Sequence, residues 1–313
     1  MNRPASVAST RVVSYGKALA RWMARGRPWR SLRSSFPRGL HRRQLQLDPA
    51  PPAVRQALLE KSRAALSKAL ELDSQLASGK TILAWIRFRS DWDFPGAERA
   101  FREVLAQEPN SSDAHQEMAT FLAYTGRHQE ADNEIRLAEE LDPLSPTLHV
   151  SAFYVHMGGR RWYKAHATVR KFAELVPGGF THVDFTSVLL ALEGKCGAAL
   201  DALAKFNLLS AEPEADSLAE EHNRGYVLGS CGKRDEAFRL AKALERRPHY
   251  LAHRISVIYG GMGDRGGALN WLEESFRRHE DVLTYAATDP RLGSLRNEPR
   301  FLSLLQKMGF AKN

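Results

Sequence analysis

The chain has 313 residues, 43% of them hydrophobic, and a formal net charge of +9. That apolar share excludes wholesale disorder and leaves room for one large domain, two ordinary ones or a repeat array. The charge is lopsided: residues 1–47 hold 11 Lys and Arg and no acid, so 34 basic residues face 36 acidic ones in the remainder, a net of −2. Two cysteines are too few for a disulfide framework and fit a reducing compartment. No apolar run approaches the roughly 18 residues of a membrane span, and the N-terminus lacks the apolar core of a secretory signal. A soluble, cytoplasmic protein is expected.

Residues 1–50 form the basic segment. Val12, Tyr15, Leu19, Trp22 and Met23 follow helical spacing there, with Arg11, Lys17, Arg21 and Arg25 between them. The pattern suits an amphipathic helix for a membrane surface, a nucleic-acid arm, a transit peptide or a truncated start. Pro49-Ala50-Pro51-Pro52 marks its end, and nothing before Gln56 shows the period that follows.

From there the chain repeats. Pro109, Pro143 and Pro177 are each 34 residues apart, as are Ala97, Ala131, Ala165 and Ala199; Ala237 and Ala268 continue the second series at steps of 38 and 31. Within Ser111–Pro143, His115, Met118, Ala119 and Leu122 recur at helical spacing before Gly126 interrupts. Ala131, Ile135 and Ala138 then form a second apolar stripe that Asp142-Pro143 stops. Each half is about a dozen residues, the length of a short amphipathic helix. Glycine suits the turn because it takes positive φ without a Cβ penalty, and proline ends the second helix because it brings no N–H.

This pattern resembles the tetratricopeptide repeat, with its 34-residue period and W-x2-L-G-x2-Y…A-x3-F…P signature. The alanines, Phe101, Ile135 and the prolines match; Lys80, His115 and His149 stand where the first aromatic belongs. Small residues are expected where the two helices cross, and Ala84, Ala119, Ser187, Gly225 and Ser256 supply them, whereas Phe153 departs. A half repeat, "AALSKALELDS", precedes about six hairpins over residues 76–280.

Two further features are similar to the C-terminal repeat modules of bacterial winged-helix regulators, adenylate cyclases and protein kinases. One is the insertion of about one residue at Asp91-Trp92-Asp93-Phe94-Pro95-Gly96-Ala97-Glu98. The other is the ending Asp289-Pro290, Leu295-Arg296, Pro299-Arg300-Phe301. The resemblance covers about 80% of the chain and does not reach an effector domain, for which residues 1–50 are too short. It implies an all-α fold, a right-handed α–α superhelix of about six hairpins. Residues 51–280 would form the array and residues 281–313 a capping segment. It further implies a concave groove lined by the first helix of each hairpin. The family's groove positions fall on Trp85, Phe88, Gln116, Thr120, Tyr124, Tyr154, Met157, Asp184, His222, Tyr226 and His253. Aromatics and a methionine with few charges there suggest apolar or mixed peptide recognition, and packing between helices is the plainer role for half of them. The Lys and Asn pair with which some such repeats grip a C-terminal carboxylate is replaced by Gln116, Thr120, Val150 and Tyr154.

The motifs that suggest chemistry yield to this pattern. Gly261, Gly263 and Gly266 spell G-x-G-x-x-G, with Asp281 20 residues beyond Gly261. A dinucleotide fold needs a strand before and after that loop, and Leu272–Glu280 reads as helix; the repeat places Gly263 at a hairpin turn. "SGKT" at Ser78–Thr81 lacks the leading glycine of a phosphate loop, since position 74 is Ser74. Asp91 and Asp93 sit among turn residues and suit capping. The 11 histidines form no zinc spacing, although His149 and His156 share a helix face and could approach each other. Cys196 and Cys231 lie near turns of successive repeats with no obvious base, and no G-x-S-x-G elbow occurs. The reading is a non-catalytic interaction module without cofactor or metal. A protein or peptide partner would lie in the groove, and nucleic acid would be contacted only through the basic tail.

Overall fold

The computed structural model describes residues 52–177, 181–209, 221–247 and 250–310. The basic segment 1–50, with its amphipathic pattern, lies outside them. The described residues are helical, with no strand among them, and none of their helices is long and apolar enough to cross a membrane. The chain divides into two compact units at the Gln107–Glu108 junction.

The first unit holds α1 (Pro52–Leu72), α2 (Ala77–Arg89) and α3 (Phe94–Gln107). Ala84 and Ala97 are fully buried where α2 and α3 pack. Trp85 meets Phe101 edge-on at 5.1 Å and Phe88 at 5.8 Å, and the Arg89 guanidinium lies 4.4 Å from the Trp85 ring. In the turn between the helices Asp93 accepts the Gly96 N–H at 2.9 Å, the capping role expected of it, and Asp91 pairs with Arg63 on α1. "SGKT" lies in the first turns of α2, and Lys80 reaches Glu103 at 4.0 Å.

The second unit stacks five hairpins in chain order. They are α4 (Ser112–Tyr124) with α5 (His128–Leu141), α6 (Pro146–Gly158) with α7 (Trp162–Leu175), α8 (Thr181–Leu192) with α9 (Cys196–Leu209), α10 (Glu221–Ser230) with α11 (Arg234–Glu245), and α12 (Ala252–Gly261) with α13 (Arg265–Arg277). With α2–α3 this makes the expected six. The alanine ladder is the crossing point: Ala131, Ala165, Ala199, Ala237 and Ala268 are all fully buried. A larger side chain would push the two helices of each hairpin apart. Ser111 and Ser145 cap α4 and α6 by accepting from Ala114 and Leu148 N–H, which satisfies a donor that the first turn otherwise leaves open.

Each hairpin turn has one residue at positive φ: Trp92, Gly126, Arg160, Gly194, Gly232 and Gly263, each five positions before its crossing alanine. In the second unit the following N–H reaches back five residues, as in Arg127 to Leu122, Arg161 to His156, Lys195 to Leu190, Lys233 to Leu228 and Asp264 to Tyr259. That is the six-to-one bond of a glycine-type helix stop. In the first hairpin the bond runs six residues, Asp93 to Arg87, which locates the single inserted residue.

Phe153, the residue out of pattern, stacks face to face on Phe185 of α8 at 3.9 Å, with Tyr154 edge-on to both. Its ring is thus packed against the first helix of the next hairpin. Cys196 at the start of α9 and Cys231 after α10 are disulfide-bonded, their Cα atoms 5.1 Å apart. The sequence had suggested two thiols of a reducing compartment; stacking instead brings two turns together at equivalent heights.

Beyond α13 the period ends. Two 3-10 turns, Asp281–Tyr285 and Pro290–Leu295, lead to α14 (Pro299–Lys307), which packs on α13. Glu280 ties the start of this stretch down: it accepts the Ala252 and His253 N–H groups at 2.9 and 3.0 Å and the Ser275 hydroxyl at 2.8 Å.

Candidate partner-binding face

The first helices of the second unit, α4, α6, α8, α10 and α12, turn one face toward residues 281–296. Tyr285 lies between Tyr124 of α4, 4.9 Å away, and Tyr154 of α6, 5.9 Å away and perpendicular. A Cβ built on Gly158 would stand 3.8 Å from the Thr288 carbonyl oxygen, so the chain runs close over the end of α6. Further along, Arg291 grips Asp289 with its Nε at 2.9 Å and Nη2 at 2.7 Å, and its Nη1 donates to Asn223 of α10. Asn223 in turn donates to Asp184 Oδ2 of α8 at 2.6 Å. Beside α12, the Arg291 carbonyl would lie 3.1 Å from a Cβ on Gly260.

This network is sealed from water. Asp184 is 1% exposed, Asp289 1% and Arg291 5%, so the charges are compensated by one another and by amides. Burial pushes the Asp184 carboxyl up to about 7, against the opposing pull of the Asn223 amide and the Arg291 guanidinium. Burial likewise takes His253 down to about 4, with the Asp289 carboxylate opposing. The Tyr226 hydroxyl is raised to about 12 by burial and then by Asp289. Asp184 Oδ1, His253 Nε2 and the Tyr285 hydroxyl make no hydrogen bond among the described residues.

Of the eleven groove positions carried from the resemblance, Tyr124, Tyr154, Asp184, Tyr226 and His253 are thus gathered around the C-terminal segment. Tyr124, Tyr154 and His222 are half-buried. Gln116, Thr120 and Met157 are buried, and the Thr120 hydroxyl donates to the Gln116 carbonyl of its own helix at 2.9 Å. Trp85 and Phe88 are core residues of the first unit. Asn223, Tyr285, Asp289 and Arg291 had not been nominated. Asn223 neighbours His222 in sequence, and the other three lie in the non-repeating ending, where period offers no signal.

The remaining motifs are also placed. His149 Nε2 stands 3.0 Å from the Pro143 carbonyl, whereas His156 lies 3.1 Å from the Thr168 hydroxyl and 3.4 Å from Asp132, so each ring has its own local partners. Burial holds His156 below its usual range, although Glu139 and Asp132 pull the other way. The glycine loop lies between two helices: Val257–Gly261 belong to α12, and Asp264 caps α13 by accepting the Gly267 N–H at 2.9 Å. A Cβ on Gly261 would stand 2.7 Å from the Tyr226 carbonyl, and one on Gly267 only 2.4 Å from the Tyr259 ring. Gly261 and Gly267 serve close packing.

Residues 250–283 match a tetratricopeptide repeat model. The matched repeat contains α12, the glycine turn and α13, so G-x-G-x-x-G is part of a repeat hairpin. Its positive-φ residue and crossing alanine, Gly263 and Ala268, have counterparts in the other five hairpins. No curated protein sequence matches the chain. Among solved structures, yeast Tom70 aligns with a TM-score of 0.52 at 15% identity, over 86% of this chain and 59% of that one. The Cut9 and Hcn1 tetramer of the APC/C gives 0.51 at 15% identity, over 86% and 51%. The chain therefore spans little more than half the length of these two, and at such identity the likeness shows the fold alone.

Proposed function

We propose that the protein is a non-catalytic interaction scaffold that binds a protein or peptide partner through its repeat hairpins, within bacterial signal transduction or transcriptional regulation. The observation that carries the reading is the face shared by α4, α6, α8, α10 and α12. Tyr124, Tyr154 and Asn223 there hold an irregular peptide segment by side chains from several repeats, with Asp184 bracing the Asn223 amide. Stacked hairpins offer such extended faces because no single hairpin can bury its apolar side alone. The regulatory setting rests on the Asp91–Glu98 turn and the Asp289–Phe301 ending, both similar to modules that follow effector domains.

Photo-crosslinking groups at Tyr124, Tyr154 and His222 test this in cell extract. A defined partner captured at these positions, and lost with a crosslinker at Glu140 on α5, supports the reading; equal labelling from both sides sinks it.

A second reading has one observation in its favour, the 11 basic residues without an acid in residues 1–47. A DNA-associated regulator would use them on phosphates, and its binding would fall steeply with salt. A gel shift that survives deletion of residues 1–47 ends that reading. A cytoplasmic location suits both readings and makes the state of the Cys196–Cys231 bridge a measurable question.

A further inference from the structure

We infer that the inner face of the second unit is a peptide groove already occupied by the chain's own residues 281–297, and that its external ligand is an irregular segment of the same chemistry: an aromatic followed, four to six residues on, by Asp-Pro-Arg. The inference rests on the scaffold reading and adds to it both the ligand's character and the means of control.

Three observations carry it. First, residues 281–297 form no α-helix, yet they touch α4, α6, α10 and α12 in turn. Tyr285 serves as the aromatic anchor between Tyr124 and Tyr154, and Arg291 as the polar one on Asn223. Tyrosine and arginine are the side chains that most often dominate peptide and protein interfaces. Second, both ends of the stretch are tied down apart from the Tyr285 and Arg291 anchors. Glu280 is held by α12 and Ser275, while Arg300 pairs with Glu273 and with Asn270 on α13, where Phe301 and Leu304 of α14 are buried. The segment can therefore leave the groove without detaching, a tethered occupant at high effective concentration. Third, the fit is incomplete. Asp184 Oδ1, His253 Nε2 and the Tyr285 hydroxyl lack hydrogen-bond partners among the described residues while buried. Buried polar atoms are normally satisfied, so a ligand that brings a donor to Asp184 and a partner to His253 gains over the resident segment.

The test uses the full chain and a fluorescein-labelled peptide of residues 281–298, read by anisotropy. Two variants weaken the resident segment: Tyr285→Ala, and Asp289→Asn with Arg291→Gln, which neutralises the ion pair as a unit. The wild-type chain should bind the peptide weakly and each variant at least tenfold more tightly. A peptide with alanine in place of its tyrosine and arginine should lose that gain. Hydrogen exchange at residues 281–297 should rise in the variants while α14 stays protected. Variants with wild-type helicity and cooperative melting that bind the peptide no better than wild type overturn the inference. So does equal binding by all three chains, which places the peptide elsewhere, and so does failure of both variants to fold, which makes the segment a permanent part of the core. Because the probe is the chain's own sequence, success here with no partner captured from extract removes the scaffold reading and leaves the occupied groove. Capture of a partner by chains that ignore the peptide does the reverse.

Discussion

Asn223 donates its side-chain amide to Asp184 Oδ2 across 2.6 Å, joining α10 to α8 where water does not reach. The amide satisfies one carboxyl oxygen and, with the Arg291 guanidinium, draws its pKa down. Burial dominates, and the carboxyl rises from 3.8 to about 7. His253, equally enclosed, falls from 6.5 to about 4.

The signs of these two shifts give a pH prediction. An acid whose folded pKa is raised stabilises the fold below its unfolded value, and that contribution is lost as pH rises from 3.8 to about 7. A histidine whose folded pKa is depressed stabilises above 6.5, and that contribution is lost as pH falls toward about 4. Between these limits the two slopes oppose each other, and the wild type should be nearly flat. Asp184→Asn keeps an oxygen for Asn223 and removes the acid's titration. Its stability should climb from about pH 4 to 6.5 and exceed that of the wild type at about pH 8, by roughly 1–4 kcal/mol. Urea midpoints across that range check it; parallel profiles would show that Asp184 does not titrate in the fold.

The crossing alanines predict a packing cost. Ala131 and Ala165 are fully buried at the points where α4 meets α5 and α6 meets α7. Leucine at either position adds three carbons where there is no room, and Ala131→Leu or Ala165→Leu should each destabilise by about 1–3 kcal/mol. Thermal melts of both read this directly. An unchanged Tm in both would mean that the helices cross elsewhere.

How far the sequence reaches follows from where period governs geometry. The 34-residue ladders of alanine and proline revealed the hairpins, their number and the extra residue near Trp92, because one geometry recurs and one residue type satisfies it. The positive-φ position was legible where glycine fills it, at Gly126 and Gly263, and invisible at Arg160 and Trp92, where the repeat geometry imposes it on side chains that do not advertise it. Phe153 looked like an exception because its packing partner, Phe185, lies on the next first helix. That the nominated positions fall on first helices was legible from the register. What covers them was not, since residues 281–296 have no period and their contacts with Tyr124, Tyr154 and Asn223 span up to 161 positions of sequence. The ion pair of Asp289 with Arg291 is local in sequence, but nothing local says that both are buried.

The glycine turn gives a paired prediction. A Cβ on Gly267 would stand 2.4 Å from the Tyr259 ring, whereas one on Gly197 meets nothing within 4 Å. Gly267→Ala should therefore cost about 1–3 kcal/mol by displacing Tyr259 from its hydrogen bond to Glu245. Gly197→Ala, in the first turn of α9, should be neutral or stabilise by about 0.5–1 kcal/mol because alanine is the better helix former. Denaturant titrations of the two variants settle it, and a Gly267→Ala chain as stable as wild type would show that the corner has slack.

The disulfide predicts a response to reductant that depends on topology. Cys196 and Cys231 are separated by 35 positions in sequence and link the start of α9 to the turn after α10. Constraint of the unfolded chain by a loop of that size is worth about 2–4 kcal/mol. Both cysteines are half-buried, so a dithiol can reach them, and reduction should lower the Tm of the full chain without abolishing helical content. Cys196→Ser should match the reduced wild type and show no further change with reductant. In a cytoplasmic thiol buffer the bridge should open over time, which alkylation and mass measurement of the protein taken from cells can follow. A wild-type melting curve identical with and without reductant, although alkylation proves the bridge open, would mean that stacking alone fixes the junction of the two hairpins.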